Sequence, residues 1–507
     1  MTDHERPVDE RPTVDHLGRP TNEAARVLVE TGVDPSVDRQ TELERIAIWF
    51  DERTGASHIL RATLRKVFPD HWSFLLGEIA LFSFVILVAT GVFLTFFYVP
   101  SAAPVTYQGP YTPYQGQEVS AAYDSVMRLS LEVRSGLLMR QVHHWTAVIF
   151  VAVIVLHLSR VFFTAAFRRP RELNWIIGFG LLLFAIAEGV TGYSLPDDLL
   201  SGTGARIIYS AAMSVPFIGP YLSFLVFGGE FPTTAFISRF FVLHVMLLPA
   251  LFAGGIASHV GLVFLQKHTQ FRGPVERETN VVGRHFWPGQ AFVSGGLFFL
   301  TAAVVAAIGG LVQINPIWAY GPFQPSLVSS PSQPDWYVGW LDGALRIFPP
   351  IEPTILGITI PSAFIPGVLI PGALFTLVAV WPWVDKLITH DNREHHLLDW
   401  PWEQPIRAAT GMALLVFFAL LTLAGGNDVL SVFLTASVEE LTHIFQILVI
   451  VGPIVTWLVT YALARARLQR PPPDALEAEA EEHPGRPRHR GMAVQRTADG
   501  GFEEVEA

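Results

Sequence analysis

Residues 141–160 read QVHHWTAVIFVAVIVLHLSR, an apolar stretch with a histidine near each end, His143 and His157. At about 3.6 residues and ~5.4 Å per turn, the interval between these histidines makes about four turns, so the two side chains face nearly the same side of a helix. A polar side chain in hydrocarbon is costly and is treated as functional by default, and neutral imidazole is a common axial ligand of iron.

Residues 241–260, FVLHVMLLPALFAGGIASHV, repeat the pattern with His244 and His259, whose interval is longer by a single position. Two helices with histidines at matched depths can hold two metal centres, one above the other, as a path for electrons across a bilayer. A lone intramembrane histidine is more often a helix–helix hydrogen bond or a cavity-lining group. Matched pairs on two helices favour a bundle that binds two haems, each between two histidines.

Glycines recur with the same period on the neighbouring apolar segments. Gly77 and Gly91, before the first histidine pair, have the same interval as His143 and His157, and so do Gly178 and Gly192, which lie between the pairs. Glycine lets a flat group approach the backbone closely, so we expect these positions to face the haems. Ordinary packing of small residues between membrane helices is the alternative, although it does not demand the period of the histidines.

The composition is that of a polytopic membrane protein. The 507 residues are 50% hydrophobic and 16% charged, which excludes a soluble domain. The apolar runs have the length that a hydrocarbon core of about 30 Å requires. They lie near 74–97, 142–166, 175–195, 238–265, 291–314, 363–384, 406–424 and 442–466. The predicted fold is an all-α integral membrane protein with eight transmembrane helices, the first four forming a di-haem four-helix bundle.

Cationic residues orient these spans. Lysines and arginines concentrate on one side, at Arg61, Arg65, Lys66, Arg168, Arg169, Arg171, Lys267, Arg272, Lys386, Arg393, Arg465, Arg467 and Arg470. The positive-inside rule then predicts that both termini are cytoplasmic. The second and fourth spans run from outside to inside, which defines two sets. The outer pair is His143 and His244, and the inner pair is His157 and His259.

The chain is predicted to have four segments. Residues 1–55 form a polar arm that ends in a surface helix, and residues 56–275 hold the first four spans. Residues 276–470 hold the last four spans, and residues 471–507 form a disordered tail. The sequence contains no cysteine, so it cannot form a disulfide, a thiolate-ligated iron–sulfur cluster or a covalently attached c-type haem.

Longer motifs resemble the cytochrome b subunit of the cytochrome bc1/b6f family. Arg140-Gln-Val-His143 and His157-Leu-Ser-Arg160 resemble its haem ligands with their neighbouring arginines, and the match runs from about Trp49 to Arg467. The longer interval of the second histidine pair is the b6f-like form. Pro334-Asp335-Trp336-Tyr337 corresponds to the family's PEWY motif, with Asp in place of Glu. Segments such as FPDHWSFLLGEIA, SLPDDLLSGTG and HHLLDWP resemble the actinobacterial branch, a menaquinol:cytochrome c reductase.

The resemblance implies two non-covalent b haems, of low potential at the outer pair and high potential at the inner pair. The haem propionates are expected to meet Arg140 and Arg160. His144 is adjacent to His143 and points about 100° away on a helix, so only one of them can face the haem. The spacing and the preceding arginine favour His143, and we expect His144 at an interface.

The resemblance also implies a Q cycle. Menaquinol is oxidised at the outer face, with Asp335 as proton acceptor and Tyr337 as a hydrogen-bonding partner. One electron goes to a Rieske protein, and the other crosses both haems to an inner quinone site. The inner site is expected near Lys267, His268 and Glu78. Glu78 and Glu188 are carboxylates in apolar helices, for which proton relay and interhelical hydrogen bonding both remain open.

The family implies specific partners in the plasma membrane. The expected partners are a Rieske iron–sulfur subunit, a cytochrome c subunit, a second copy of the complex and membrane lipid. The complex is often joined to an aa3-type oxidase, and no nucleic acid is expected to bind. A proton-coupled transporter with a histidine relay is the main alternative. A cytochrome b anchor of a dehydrogenase is a third, against which the eight spans and the Pro334–Tyr337 motif argue.

Overall fold

The computed structural model describes residues 63–327 and 333–469 without a break, with 42–55, 492–496, 502–506 and scattered positions between 13 and 60. In these residues, seven helices are long and apolar enough to cross a membrane. A pair of helices bent by 60° is a broken eighth span or a re-entrant segment. The prediction of a mostly helical chain with seven to eight apolar helices is therefore confirmed, and eight spans result if the bent pair counts as one.

The helices are α1 (Glu42–Thr54), α2 (Leu75–Thr95), α3 (Ala121–Leu131), α4 (Gly136–Phe163), α5 (Glu172–Tyr193), α6 (Leu199–Met213), α7 (Gly219–Phe227), α8 (Phe236–Gln266), α9 (Ala291–Leu311), α10 (Ile317–Tyr320), α11 (Trp336–Ile347), α12 (Ile370–Ala379), α13 (Trp381–Thr389), α14 (Pro405–Gly425), α15 (Asn427–Leu434) and α16 (Val438–Leu468). The strands are β1 (Val67–Phe68), β2 (Pro104–Thr106), β3 (Glu118–Ser120), β4 (Arg284–His285), β5 (Thr354–Ile355), β6 (Ile358–Thr359), β7 (Met492–Arg496) and β8 (Phe502–Glu506). The spans are α2, α4, α5, α8, α9, the bent pair α12–α13, α14 and α16.

The described chain falls into two compact units. One contains Met1–Val67 with His285–Gln290, and the other contains Phe68–Arg284 with Ala291–Ala507. In the first unit, α1 is the predicted surface helix, and it leaves Trp49 exposed. The second unit contains the helices of all the spans. The expected division of these spans into two halves at residues 275 and 276 stays a prediction.

The break in the sixth span has a local cause. Pro382 lies in the first turn of α13, and proline has no N–H to continue the hydrogen-bond ladder of α12. The carbonyl oxygens left over belong to Val378 and Ala379. The indole Nε1 of Trp175 donates to both, at 2.9 and 3.2 Å. A neighbouring span thus satisfies the backbone groups that the proline leaves free, as hydrocarbon requires.

An aromatic core holds the first four spans together between the two histidine levels. Phe150 lies midway between the histidines of α4, and its ring is 5.5 Å from that of Phe252 on α8. Phe84 of α2 stacks on Phe252 at 5.4 Å. Tyr337 and Val338 of α11 are buried in the same core. Helix α11, which begins within the Pro334–Tyr337 motif, is therefore packed against this bundle.

The end of the chain differs from expectation in two short segments. Strands β7 and β8 pair as an antiparallel hairpin, with Met492 opposite Glu506 and Arg496 opposite Phe502. The disorder expected for 471–507 is not found in these strands, and the rest of that segment lies outside the described residues.

Candidate functional site

The structure brings the four intramembrane histidines together in the predicted pairs. The ring centroids of the outer pair are 6.1 Å apart with an interplanar angle of 77°, and those of the inner pair are 6.3 Å apart at 78°. Helices α4 and α8 must therefore run parallel. Two imidazole nitrogens that each bind one metal at about 2.0 Å place their ring centroids roughly 6 Å apart. Both separations suit a metal between the rings.

A π-helical turn explains the longer histidine interval in α8. The turn covers Leu243–Leu247 and contains His244. A single π turn inserts an extra residue into an α-helix, so the interval from His244 to His259 spans the same number of turns as that from His143 to His157. Pro249 is the cause that the sequence offers, because its ring would clash with the carbonyl of Val245 and provides no N–H to it. The inserted residue keeps His244 and His259 on one face.

Each of the four periodic glycines lies against one histidine ring. The distances from a Cβ added at the glycine to the ring Cε1 are 3.2 Å for Gly77 and His157, 3.3 Å for Gly91 and His143, 3.0 Å for Gly178 and His259, and 2.4 Å for Gly192 and His244. The sequence predicted that these glycines face the haems. In the structure each glycine makes room for an imidazole, which explains why glycines and histidines share one period. That the same glycines also face the haems stays a prediction.

Hydrogen bonds orient the rings of the outer pair through Nδ1. The Thr90 hydroxyl donates to the carbonyl of Ile86 at 2.7 Å, so its oxygen accepts from His143 Nδ1 at 2.9 Å. His244 Nδ1 donates to the carbonyl oxygen of Glu188 at 3.0 Å, and the Glu188 carboxylate lies 3.3 Å away. With Nδ1 engaged in this way, Nε2 of each ring is left to bind a metal.

Two arginines carry buried nitrogens without a hydrogen-bond partner among the described residues. Arg140 is 8% exposed and donates from Nη1 to the carbonyl of Asn315 at 3.1 Å, while its Nε and Nη2 are unpaired. The Nε and Nη2 atoms of Arg160 are also buried and unpaired, and its guanidinium lies 4.2 Å from the centre of the Phe74 ring. A buried guanidinium with unpaired N–H groups is costly. These two groups fit the carboxylates of a bound cofactor.

The donor set fits a haem better than a protein-only metal site. Across the described residues, no group of three or more His, Asp or Glu side chains is arranged to hold a metal ion. Each histidine pair offers two nitrogens, so a metal there needs further ligands from outside the chain. An iron porphyrin brings its own ring nitrogens and takes two axial imidazoles, as both pairs provide.

A cavity of about 290 Å³ opens beside the outer pair. Its apolar walls come mainly from α2, α4, α5 and α8, and Leu200 of α6 contributes to them. Its polar lining includes Arg140, His144, Glu188, Asp198, Asp335 and Tyr337. The outer pair of predicted haem ligands and the predicted residues of the outer quinol site therefore meet in one cavity.

Asp335 is the centre of the polar group in this cavity. It precedes α11, its side chain is 8% exposed, and Oδ2 accepts from the Tyr337 hydroxyl at 3.0 Å. His144 Nε2 lies 2.9 Å from the same oxygen. Burial, with the charge of Asp335, raises the pKa of the Tyr337 phenol well above its usual range. The tyrosine hydroxyl therefore stays protonated and acts as a donor.

Two residues at this site were not predicted from the sequence. His144 was expected at an interface, but the turn of about 100° from His143 directs it to Asp335. Gly189 of α5 receives the Tyr337 side chain, because a Cβ there would be 2.4 Å from the hydroxyl oxygen. The sequence shows two adjacent histidines and a glycine next to Glu188. Neither feature identifies the distant residue that it contacts.

The three residues expected at the inner quinone site each contact a different part of the structure. Glu78 accepts a hydrogen bond from the hydroxyl of Ser294 at 2.7 Å, which links α2 to α9. Such an interhelical hydrogen bond is one of the two roles that the sequence left open for Glu78. The ring of His268 lies 4.4 Å from that of Phe68. Lys267 follows the last residue of α8, in an exposed position with φ of +65°. The inner site therefore stays a prediction.

Comparisons with known proteins agree with the geometry. The family model described as "Cytochrome b(N-terminal)/b6/petB" matches residues 148–322. The "Cytochrome bc1 complex cytochrome b subunit" of Streptomyces coelicolor is 47% identical over 423 residues, which cover 82% of this chain and 76% of that protein. The protein of the same description from Mycobacterium tuberculosis (strain H37Rv) is 48% identical over 420 residues, covering 83% and 76%.

A solved structure shares the fold. A chain of a "Hyperthermophilic respiratory Complex III" superimposes with a TM-score of 0.60 at 22% identity. The match covers 82% of this chain and 99% of the other. At this identity the likeness concerns the fold alone.

Proposed function

The chain belongs to the cytochrome b family of cytochrome bc1 complexes, and we propose that it oxidises menaquinol in the outer cavity and passes electrons to an inner quinone site. As such it is the cytochrome b subunit of a respiratory quinol:cytochrome c oxidoreductase. The observation that carries the proposal is the meeting of the outer histidine pair, Asp335 and Tyr337 in one cavity. A histidine-relay transporter would not need ring pairs spaced for an axial metal.

The first four spans would form a bundle for two non-covalent b haems. The outer pair would hold one, of low potential, and the inner pair the other, of high potential. Arg140 and Arg160 would neutralise propionates, which their unpaired nitrogens support. Gly77, Gly91, Gly178 and Gly192 would keep the four imidazole rings in position. The haems would supply an electron path between the two faces of the membrane.

Asp335 would receive a proton from the quinol. Oxidation of a quinol to a quinone releases two electrons and two protons, and a carboxylate within hydrogen-bond reach can accept one of these protons. The Tyr337 hydroxyl, held protonated, would donate a hydrogen bond and not compete for that proton. Glu188 lies on the same cavity beside His244 and is a second carboxylate within this site.

The inner quinone site is proposed near Lys267, His268 and Glu78. A cation and an imidazole at the end of α8 could donate hydrogen bonds or protons to a quinone that is being reduced. The hydrogen bond from Ser294 on α9 holds the carboxylate of Glu78, which would lie at the depth of the inner pair. With both termini cytoplasmic in the plasma membrane, reduction here and oxidation at the outer face would separate charge.

Other subunits must take the first electron. The chain has no cysteine, so it has no thiolate for a cluster and no attachment point for a c-type haem. We therefore propose a Rieske iron–sulfur subunit and a cytochrome c subunit as partners, in a homodimeric complex that associates with an aa3-type oxidase.

Haem content and turnover of the purified chain test the proposal. We expect two haems that acidified acetone extracts, no haem retained on a denaturing gel, and negligible quinol:cytochrome c turnover. Adding the Rieske and cytochrome c subunits should restore turnover. A purified chain without b-type absorbance would favour the transporter. Robust turnover by the isolated chain would contradict the proposal that other subunits take the first electron.

A second prediction concerns Gly192. In Gly192→Ala the new methyl group would lie 2.4 Å from His244 Cε1, so the ring must move. We expect loss of most outer-haem absorbance and retention of the inner haem in reduced-minus-oxidised spectra. Gly180→Ala is the matched control on the same helix, because a Cβ there meets nothing within 4 Å. Equal haem spectra in the two variants would show that His244 does not depend on this space.

A further inference from the structure

His144, the residue next to the proposed haem ligand His143, lines the outer cavity and contacts Asp335. His144 Nε2 lies 2.9 Å from Oδ2 and 3.1 Å from Oδ1 of Asp335. The two side chains are 15% and 8% exposed, so the contact is shielded from solvent. The residues are 191 positions apart in the chain. This contact ties the carboxylate before α11 to the helix that carries His143.

Asp335 needs such a contact to keep one orientation. The last torsion of an aspartate side chain is broad and allows the carboxylate to rotate. One donor, the Tyr337 hydroxyl, engages Oδ2. A second donor from a different helix removes the remaining freedom, because the carboxylate then has partners on both α11 and α4. Tyr337 is itself confined by the backbone of Gly189.

We propose that His144 is a positioning residue of the outer quinol site, which holds the Asp335 carboxylate in the orientation that accepts the quinol proton. This inference rests on the proposed function, since it requires quinol oxidation in this cavity with Asp335 as acceptor. His144 acts through Asp335 and binds no haem.

The test uses the assembled complex with a soluble quinol. We expect His144→Leu to keep both haems and to lower kcat by about 10- to 100-fold, the range that a misplacement of ~1 Å allows. KM should change less, because the substrate pocket is intact. His144→Gln retains an N–H donor at a similar reach, so we expect kcat within a few-fold of wild type. His443→Leu, which removes an exposed histidine of α16, is the matched control.

A double-mutant cycle separates action through Asp335 from a general packing effect. In the Asp335→Asn background, His144→Leu should have little further effect on kcat, because residues that act as one unit are not additive. An equal loss in both backgrounds would overturn the inference, as would wild-type kcat in His144→Leu.

The outcomes also separate this inference from the proposed function. A wild-type complex without quinol oxidation would defeat the proposed function, whereas slow Asp335→Asn with normal His144→Leu would defeat only the role of His144. Should His144→Leu lose the outer haem through its neighbour His143, His144→Asn replaces it. Asparagine is polar but one methylene shorter than glutamine. Rescue by Gln and not by Asn supports the inference, and equal rates in the two variants overturn it.

Discussion

Replacing His157 or His259 by leucine is expected to remove the inner haem, leave the absorbance of the outer haem, and reduce quinol:cytochrome c turnover to background. Each ring would supply one of the two protein nitrogens that hold the haem at its level, and the centroid of its partner ring is 6.3 Å away. Replacing His143 or His244 should remove the outer haem and spare the inner one. Reduced-minus-oxidised spectra with redox titration of each variant measure the two haems separately.

His144→Arg is the control for this experiment. It changes the residue beside His143 but leaves all four rings in place, so both haems should be retained. A His143→Leu variant with two intact haems would move the ligand assignment to His144. That outcome would also contradict the contact of His144 with Asp335.

Asp335→Asn is expected to keep normal haem content and to slow quinol oxidation by about 10²-fold, the low end for loss of a positioned proton acceptor. The amide keeps the size of the carboxylate and its hydrogen bond from Tyr337, but it cannot take the proton. Asp335→Glu should retain much of the activity, because a carboxylate remains at the site. Stopped-flow reduction of the outer haem by quinol measures the step directly.

Unchanged turnover in Asp335→Asn would show that the proton leaves by another route. Glu188 would then be the next residue to replace, because its carboxylate lines the same cavity. Since Glu188 also lies 3.3 Å from His244 Nδ1, its variants must be checked for the outer haem before their rates are interpreted.

Local periodicity was sufficient to predict the spans and the histidine pairs. Hydrocarbon demands runs of about 20 apolar residues, and a whole number of helical turns relates residues that share a face. His143 and His157 obey this rule directly. The pairing of α4 with α8 followed as well, since only parallel helices bring both pairs to matching depths, and the ring distances agree.

The same periodicity predicted the glycine positions but not their contacts. Gly192 lies against the ring of His244, a contact that the sequence did not identify, and the expected haem face stays a prediction. A period tells which side of a helix a residue is on, and it does not tell which group of the neighbouring helix arrives there. The fold itself was needed to show which side chain of the neighbouring helix lies against each glycine.

The sequence by itself therefore determined a membrane bundle with two histidine levels and a carboxylate motif, because each of these lies within one helix or one loop. Only the tertiary structure decided that His144 meets Asp335 and that Gly189 receives Tyr337. These contacts join α4 and α5 to a helix far along the chain. The physical reason is that side-chain contacts between helices depend on packing angle and rotation, which residues on either helix alone do not specify.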